Sequence, residues 1–193
     1  FNGQTWEICT NSDGGLASTI FDTNCRGIAY NGLIWVACGS GSLHTLAYSL
    51  DGISWTGLGK TAISSNGFCV ESNGEVFLAG GQGGNKLVRS NNGVNWTAVN
   101  VGMTIKVQAI ACNGKTWVIG GNGINFLAYS VDNGYTFTNI SQTIFNGFIN
   151  SLYWSGRHFF ASGEGTNTMG ISRDGINWKV LSGSPFDSKG GGV

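Results

Sequence analysis

Short stretches rich in apolar residues alternate with polar doublets along the whole chain. Each doublet is Asn-Gly, Asp-Gly or Ser-Gly, and Gly and Asn tolerate the positive φ angles that a type I′ hairpin turn requires. Each doublet therefore predicts a tight reversal between two β-strands. The doublets stand at Asn31-Gly32, Asp51-Gly52, Asn73-Gly74, Asn92-Gly93, Asn113-Gly114, Asn133-Gly134, Ser155-Gly156 and Asp174-Gly175.

The spacing between successive doublets alternates between shorter and longer steps, so the repeating unit contains two turns and about 41 residues. An aromatic residue follows the second turn of each unit at that spacing: Trp55, Trp96, Phe137 and Trp178. A period near 40 residues with four short strands per unit is typical of β-propeller blades. The pattern therefore predicts an all-β fold, a β-propeller of four-stranded antiparallel blades.

The repeat divides one domain, residues 1–193, into four complete blades at residues 26–60, 67–100, 107–141 and 149–181. In the first blade, the predicted strands are residues 27–30, 33–38, 45–49 and 54–57. Residues 1–12 match an outer strand, and residues 182–193 match the start of a further blade. We expect a five-bladed ring in which residues 6–12 supply the fourth strand of the closing blade, and about 20 residues beyond Val193 complete it.

The second turn of each unit carries the pattern Ser-x-Asp-x-Gly-x-x-aromatic. The segment from Ser130 to Phe137 matches it in full, the other copies are one residue shorter, and Asn92 replaces the Asp in the second copy. This pattern resembles the Asp-box hairpin of sialidase-type β-propellers. The tandem form is also similar to repeats in large proteins of giant DNA viruses and bacteria. The resemblance implies a propeller and a structural role for the box, and it transfers no activity.

The composition argues against two classes of partner, nucleic acids and membranes. Charged residues are 10% of the chain and the formal net charge is zero, so no basic field would attract nucleic acid or an anionic membrane. No apolar run reaches the roughly 18 residues that a membrane-spanning helix needs, so membrane insertion is not expected. The chain begins at Phe1, and we expect a piece of a longer protein or a processed product. An extracellular, cell-surface or virion location is favoured.

The residues that could carry catalysis do not converge in the predicted fold. Asp51, Asp132 and Asp174 occupy the same turn on different blades, where a carboxylate accepts backbone N–H bonds. A sialidase needs clustered arginines, and the four arginines fall on separate strands and turns. We therefore predict no enzymatic activity and no catalytic residue. The alternative is a propeller domain of a sialidase-like glycosidase whose catalytic residues lie outside this chain.

We expect most of the five cysteines to pack as small residues in the core. Cys9 and Cys25 flank an enlarged connection, so a disulfide between them is one alternative. No Cys-x-x-Cys spacing occurs, and His44 and His158 fall at opposite ends of a blade, so no metal or cofactor is expected.

A small-Gly-x-Gly loop joins the second and third strands of every blade. A phosphate-binding loop would lead into a helix, whereas each of these loops leads into a strand, which favours a hairpin loop. Polar residues at two positions of each loop suit a hydroxyl-rich sugar or a polar protein surface; the alternative is that they are solvated loop tips. The candidate ligand-binding residues are Ser40, His44, Gln82, Asn85, Asn122, Asn125, Glu164 and Asn167.

The function expected from these features is a lectin-like or structural module within a larger surface or virion protein. We expect it to contact glycans or other proteins and to form part of a larger assembly.

Overall fold

The fold was obtained as a computed structural model that describes residues 8–11, 13–16, 19–141 and 144–181. These residues form 17 β-strands and no α-helix. A short strand, β1 (Thr10–Asn11), precedes four blades. The first blade contains β2 (Asn24–Tyr30), β3 (Trp35–Ser40), β4 (Leu46–Ser49) and β5 (Ser54–Gly57). The second contains β6 (Asn66–Ser72), β7 (Phe77–Gln82), β8 (Leu87–Ser90) and β9 (Thr97–Val99). The third contains β10 (Lys106–Cys112), β11 (Trp117–Asn122), β12 (Leu127–Ser130) and β13 (Thr138–Asn139). The fourth contains β14 (Ile149–Trp154), β15 (Phe159–Gly163), β16 (Met169–Ser172) and β17 (Trp178–Val180).

Within each blade the four strands pair antiparallel and in chain order, as a β-propeller requires. One pairing between blades, Lys106 with Gln82, joins the second and third blades into an eight-stranded sheet. The first strands of successive blades contact one another, β2 with β6, β6 with β10 and β10 with β14. Within the described ranges, β14 and β2 share no contact of similar extent. The four blades therefore form an open arc, and the all-β propeller fold predicted from the repeat is confirmed.

The predicted five-bladed ring would close between the two ends of the open arc. Residues 1–7, 12 and 182–193 lie outside the described residues. Thr10 and Asn11 pair in parallel with Ser54 and Trp55, so this part of the predicted closing strand lies along the outer edge of the first blade. Closure by a fifth blade stays a prediction.

The hairpin turns depend on glycine, but not in the type I′ form predicted from the doublets. The Gly of all eight doublets has a positive φ, from +72° at Gly93 to +97° at Gly32. A type I′ turn needs a positive φ at both central residues. Asn133, with a φ of 59°, is the only residue other than Gly with a positive φ in the described part of the chain. Seven of the eight doublets therefore use glycine alone.

A side-chain oxygen replaces the second positive φ as the feature that fixes each first turn. The Asn31 Oδ1 accepts hydrogen bonds from the backbone N–H groups of Leu33 (3.0 Å) and Ile34 (2.9 Å). The same pair of bonds recurs at Asn73 and Asn113, and a serine hydroxyl makes it at Ser155. Side chains that bond the backbone two or three residues ahead are typical of Asx and ST turns.

The blades are held together by flat apolar faces. Val36 and Leu46 of the first blade pack against Val70 and Val88 of the second, and all four are buried. The next two interfaces repeat this packing with the equivalent residues of the following blades. Removing such a side chain from water contributes about 1.5–3 kcal/mol. Burial between blades therefore contributes several such increments at each interface.

Asn133 gives the third Asp box its extra residue and links two blades. Its Oδ1 accepts a hydrogen bond from Asn73 Nδ2 at 2.8 Å, and its Nδ2 donates to Glu75 Oε2 at 3.0 Å. Its carbonyl oxygen accepts from Arg89 Nε at 3.0 Å. The guanidinium of Arg89 also lies 3.8 Å from the centre of the Tyr135 ring. The insertion therefore has a structural reason, which is to reach the second blade.

We predict that Asn133→Ala lowers the free energy of unfolding by about 2 kcal/mol, because it removes two hydrogen bonds and places Ala at a positive φ. Asn133→Gly loses the same bonds without the backbone strain and should cost about 1 kcal/mol. Urea unfolding followed by tryptophan fluorescence measures both values. Equal losses for the two variants would contradict the contribution assigned to the backbone.

Candidate functional site

The structure separates two faces of the arc. The turn face carries the first and third turns of each blade, for example residues 31–34 and 50–53. The loop face carries the small-Gly-x-Gly loops and the connections between blades, for example residues 41–45 and 58–65. The Asp boxes lie on the turn face, and the predicted ligand-binding residues lie on the loop face.

Each Asp-box side chain is fully engaged in its own hairpin. The Asp51 Oδ1 accepts hydrogen bonds from the backbone N–H groups of Ile53 (2.8 Å) and Ser54 (2.7 Å) and from the Ser49 hydroxyl (2.9 Å). The indole N–H of Trp55 donates to the Gly52 carbonyl at 3.3 Å. Asn92 makes the equivalent bonds with an amide oxygen. Because Asn replaces Asp without changing this geometry, the box requires an oxygen and not a charge.

The same bonds determine how the carboxyl groups titrate. The backbone N–H groups of Ser54 and Ile53 hold the pKa of Asp51 well below its usual range. Burial alone would raise the pKa of Asp132, but hydrogen bonds from Thr136, Ser130 and Tyr135 outweigh it and lower the pKa to about 2. These carboxylates are acceptors and remain ionised at neutral pH, so they are unsuited to general-acid chemistry.

The lowered pKa values predict acid sensitivity of a defined sign. A carboxyl with a pKa near 2 in the folded chain and about 3.9 in the unfolded chain stabilises the fold above pH 4. That contribution is lost as the pH falls from about 4 to 2. Asp132→Asn should keep the hairpin and reduce this loss, as measured by urea unfolding at pH 6 and pH 2.5. Asp13→Asn is the control, because the Asp13 carboxylate accepts no hydrogen bond within the described ranges. Equal pH dependence of both variants would contradict the account.

Four of the predicted ligand-binding residues hold the loops to the connections between blades. The Asn85 Nδ2 donates to the Ala62 carbonyl at 2.9 Å, and the Asn167 Nδ2 donates to the Ile144 carbonyl at 2.7 Å. The Asn125 Nδ2 donates to the Gly102 carbonyl at 3.3 Å. In the first blade, the His44 Nδ1 accepts from the Gly59 N–H at 2.8 Å. These four residues therefore share one structural role at one position of the repeat.

A second set of bonds on the loop face was not found by sequence reasoning. The Asp22 Oδ1 accepts from the Ser42 N–H (2.8 Å), the Ser64 Oγ from the Gly84 N–H (2.9 Å), and the Asn146 Oδ1 from the Thr166 N–H (2.8 Å). In each pair the two residues are 20 apart in sequence. The signal that could have found them is a short polar residue 20 positions before the residue that directly follows each small-Gly-x-Gly motif.

The four remaining candidates divide into two groups. Ser40 is buried, and its hydroxyl donates to Asn66 Oδ1 at 2.7 Å. The Glu164 carboxylate accepts from Asn150 Nδ2 at 3.5 Å. By contrast, the side-chain amides of Gln82 and Asn122 make no hydrogen bond to any residue that the structure describes. Lys106 is the backbone pairing partner of both residues, so the two amides lie at neighbouring strand ends.

The inner strands add residues that sequence reasoning did not select. Arg26, Phe68 and Lys106 lie on the first strands of three successive blades. The Arg26 Cζ is 4.9 Å and the Lys106 Nζ is 5.1 Å from the centre of the Phe68 ring, so both cations make cation–π contacts with one ring. The Gln108 side-chain oxygen is buried with no partner in the described residues. Together with Gln82 and Asn122, Arg26, Phe68 and Lys106 form the inner loop-face cluster.

The other reactive groups stay apart. Arg173 contacts His158 on the turn face, and Arg89 contacts the third Asp box.

The five cysteines are all free thiols, so the Cys9–Cys25 disulfide considered from the sequence is not formed. Burial raises the pKa of Cys69 to about 12 and that of Cys112 to about 11, which keeps both thiols protonated at neutral pH. The described residues contain no group of three potential metal ligands. Nor do they include a helix suited to spanning a bilayer.

Comparisons with known proteins support the fold and go no further. No protein-family model and no curated protein matches the chain. The computationally designed protein Ika8 is similar over 95% of this chain and 54% of its own, with a TM-score of 0.67 and 12% identity. A chain of the nidogen/laminin complex is similar over 88% of this chain and 67% of its own, also with a TM-score of 0.67 and 12% identity. The chain thus spans only about half of the designed protein.

We predict that Asn167→Ala lowers the free energy of unfolding by about 1–2 kcal/mol, because the buried Ile144 carbonyl loses its partner. The matched control is Asn122→Ala, which removes an amide that bonds no described residue and should change stability by less than about 0.5 kcal/mol. Urea unfolding of both variants provides the comparison. A cost for Asn122→Ala as large as that for Asn167→Ala would refute the distinction between structural and free amides.

Proposed function

We propose that the chain is a non-enzymatic binding or structural module, a propeller domain of a larger surface or virion protein that contacts glycans or other proteins. The observation that carries this proposal is the pair of side-chain amides, Gln82 and Asn122, which lie beside Lys106 on the loop face and have no hydrogen-bond partner among the described residues. Side-chain amides both donate and accept, so they suit ligands rich in hydroxyl or peptide groups.

The surroundings of these amides support the same class of ligand. Phe68 supplies an apolar ring, and Arg26 is an exposed cation beside it. Amides next to an aromatic ring and a cation are a combination that sugars and polar protein surfaces can use. The loops around the cluster are fixed by the Asn85 and Ser64 hydrogen bonds, so little conformational entropy would be lost on binding.

The hydrogen bonds and the lowered pKa values of the Asp-box carboxylates favour binding over catalysis. Each Asp-box carboxylate stabilises its own turn, and the boxes occupy separate blades. Glycoside hydrolysis uses two carboxyl groups about 5–10 Å apart, one of which must be protonated. The lowered pKa values of Asp51 and Asp132 oppose that requirement. The proposal therefore assigns the acids to the fold and the free amides to recognition.

The test is binding of the 193-residue chain to an array of neutral and sialylated glycans. The double variant Gln82→Ala/Asn122→Ala should weaken the strongest signal about tenfold, the loss of two hydrogen bonds. Asn95→Ala is the matched control, because the Asn95 side-chain amide is exposed on the turn face and makes no hydrogen bond to the described residues. Binding that is unchanged in the double variant, or lost in Asn95→Ala, would overturn the assignment of the site.

A further inference from the structure

The first turns of the first three blades each place an Asn carboxamide beside the backbone nitrogen of the Gly that follows it. The pairs are Asn31-Gly32, Asn73-Gly74 and Asn113-Gly114. A glycine nitrogen can approach the Asn Cγ closely, because glycine has no Cβ to block it. The three glycines are all exposed, with φ from +92° at Gly114 to +97° at Gly32, so their solvent access and backbone shape are alike. By contrast, Gly93 and Gly134 of the Asp boxes are buried.

Each of these turns also directs two donors at the carboxamide oxygen. The Asn31 Oδ1 accepts hydrogen bonds from the Leu33 N–H at 3.0 Å and the Ile34 N–H at 2.9 Å. Asn73 and Asn113 have the same two donors at 2.7–3.1 Å. Attack at Cγ moves negative charge onto this oxygen, and N–H groups about 2.7–3.1 Å away stabilise such an oxyanion. The turn is therefore preorganised for attack on the carboxamide.

The three copies differ at the nitrogen that would attack. The Gly74 N–H donates to the Ser72 hydroxyl at 3.1 Å, and the Gly114 N–H donates to Cys112 Sγ at 3.2 Å, which is a weak acceptor. The Gly32 N–H makes no hydrogen bond to any residue within the described ranges. A bonded N–H must leave its acceptor before the nitrogen can lose its proton and attack. The Gly32 nitrogen is therefore the least protected of the three.

The residue directly before each Asn explains this difference. Ser72 and Cys112 are short side chains whose acceptor atoms reach the turn nitrogen. The first blade has Tyr30 at this place, and its ring stacks on Trp35 with 4.3 Å between ring centres. The Tyr30 hydroxyl donates to the Gly32 carbonyl oxygen at 2.7 Å. Tyr30 thus fixes the peptide group after Gly32 and supplies no acceptor to the nitrogen before it.

We propose that Asn31 is a self-modification site, at which the chain converts its own Asn into Asp or isoaspartate. The Gly32 nitrogen loses its proton to hydroxide and bonds to the Asn31 Cγ. The bond from Cγ to Nδ2 then breaks, and Nδ2 takes up a proton and leaves as ammonia. One water molecule opens the resulting succinimide. Cleavage between Cγ and the nitrogen gives Asp, and cleavage at the main-chain carbonyl carbon gives isoaspartate. No group is oxidised or reduced.

The two products differ in their effect on the hairpin. Asp in place of Asn31 keeps an oxygen that accepts the two N–H groups, as Asp51 does with the N–H groups of Ile53 and Ser54. Isoaspartate adds a methylene to the main chain and so displaces that oxygen from the turn. Either product adds one negative charge to the turn face of a chain with no formal net charge. The modified residue lies on the opposite face from the inner loop-face cluster.

Incubation of the 193-residue chain at mildly alkaline pH, followed by peptide mass spectrometry, tests this assignment. Deamidation at Asn31 should be about fivefold faster than at Asn73, because one hydrogen bond protects the Gly74 nitrogen. Asn73 is held further, since its Nδ2 donates to Asn133 Oδ1 at 2.8 Å. The rate at Asn113 should lie between the two. Deamidation at Asn31 that is no faster than at Asn113 overturns the proposal.

Two variants at the preceding residue make the test specific for the attacking nitrogen. Tyr30→Ser supplies the hydroxyl that the second blade uses and should slow Asn31 about fivefold. Cys112→Ala removes the acceptor of the Gly114 N–H and should raise the rate at Asn113 toward that at Asn31. In each variant the other site keeps its rate and is the internal control, with circular dichroism confirming the fold. Unchanged rates at the altered sites, in variants that keep the fold, overturn the proposal.

Discussion

The apolar packing between neighbouring blades is the constraint on which the other features of this structure depend. A four-stranded sheet of short strands has two faces, and one sheet alone leaves both in water. Val36 and Leu46 of one blade are buried only because Val70 and Val88 of the next lie against them. Flat faces with alternating small and branched residues repeat at each interface, which explains why the sequence repeats at the period of a blade. Small residues such as Gly80, where an added Cβ would lie 2.6 Å from Val107, keep the faces close.

The turns and loops hold each sheet in the shape that this packing needs. On the turn face, an Asn, Asp or Ser oxygen accepts two backbone N–H groups in each hairpin. On the loop face, His44, Asn85, Asn125 and Asn167 fix the loop to the connection that leads to the next blade. Both devices use short polar side chains in place of ion pairs. This use of Asn, Ser and Gly accounts for a chain in which only 10% of residues are charged.

The sequence predicted the fold because its strongest signals are local and repeated. Doublets such as Asn31-Gly32 and the aromatic column from Trp55 to Trp178 gave the strand order and the blade period. The turn type was wrong at seven of the eight doublets, since the doublet alone does not reveal that a side-chain oxygen, and not a second positive φ, completes the turn. The roles of Asn85 and Asn167 were missed for a related reason. The sequence alone does not distinguish a polar loop residue that contacts a ligand from one that contacts a backbone carbonyl. The Arg26–Phe68–Lys106 contact joins three blades, and no local pattern encodes it.

Backbone hydrogen exchange tests the dependence on packing between blades most directly. In the 193-residue chain at a concentration where it is monomeric, the account predicts slower exchange in β6, β7, β10 and β11, whose blades are covered on both sides. Exchange should be faster in β14 and β15, whose blade packs among the described residues against a neighbouring blade on one face only, although the hydrogen-bond pattern is the same. Equal protection of the inner blades and the fourth blade would show that each sheet is stable by itself, and would contradict the account.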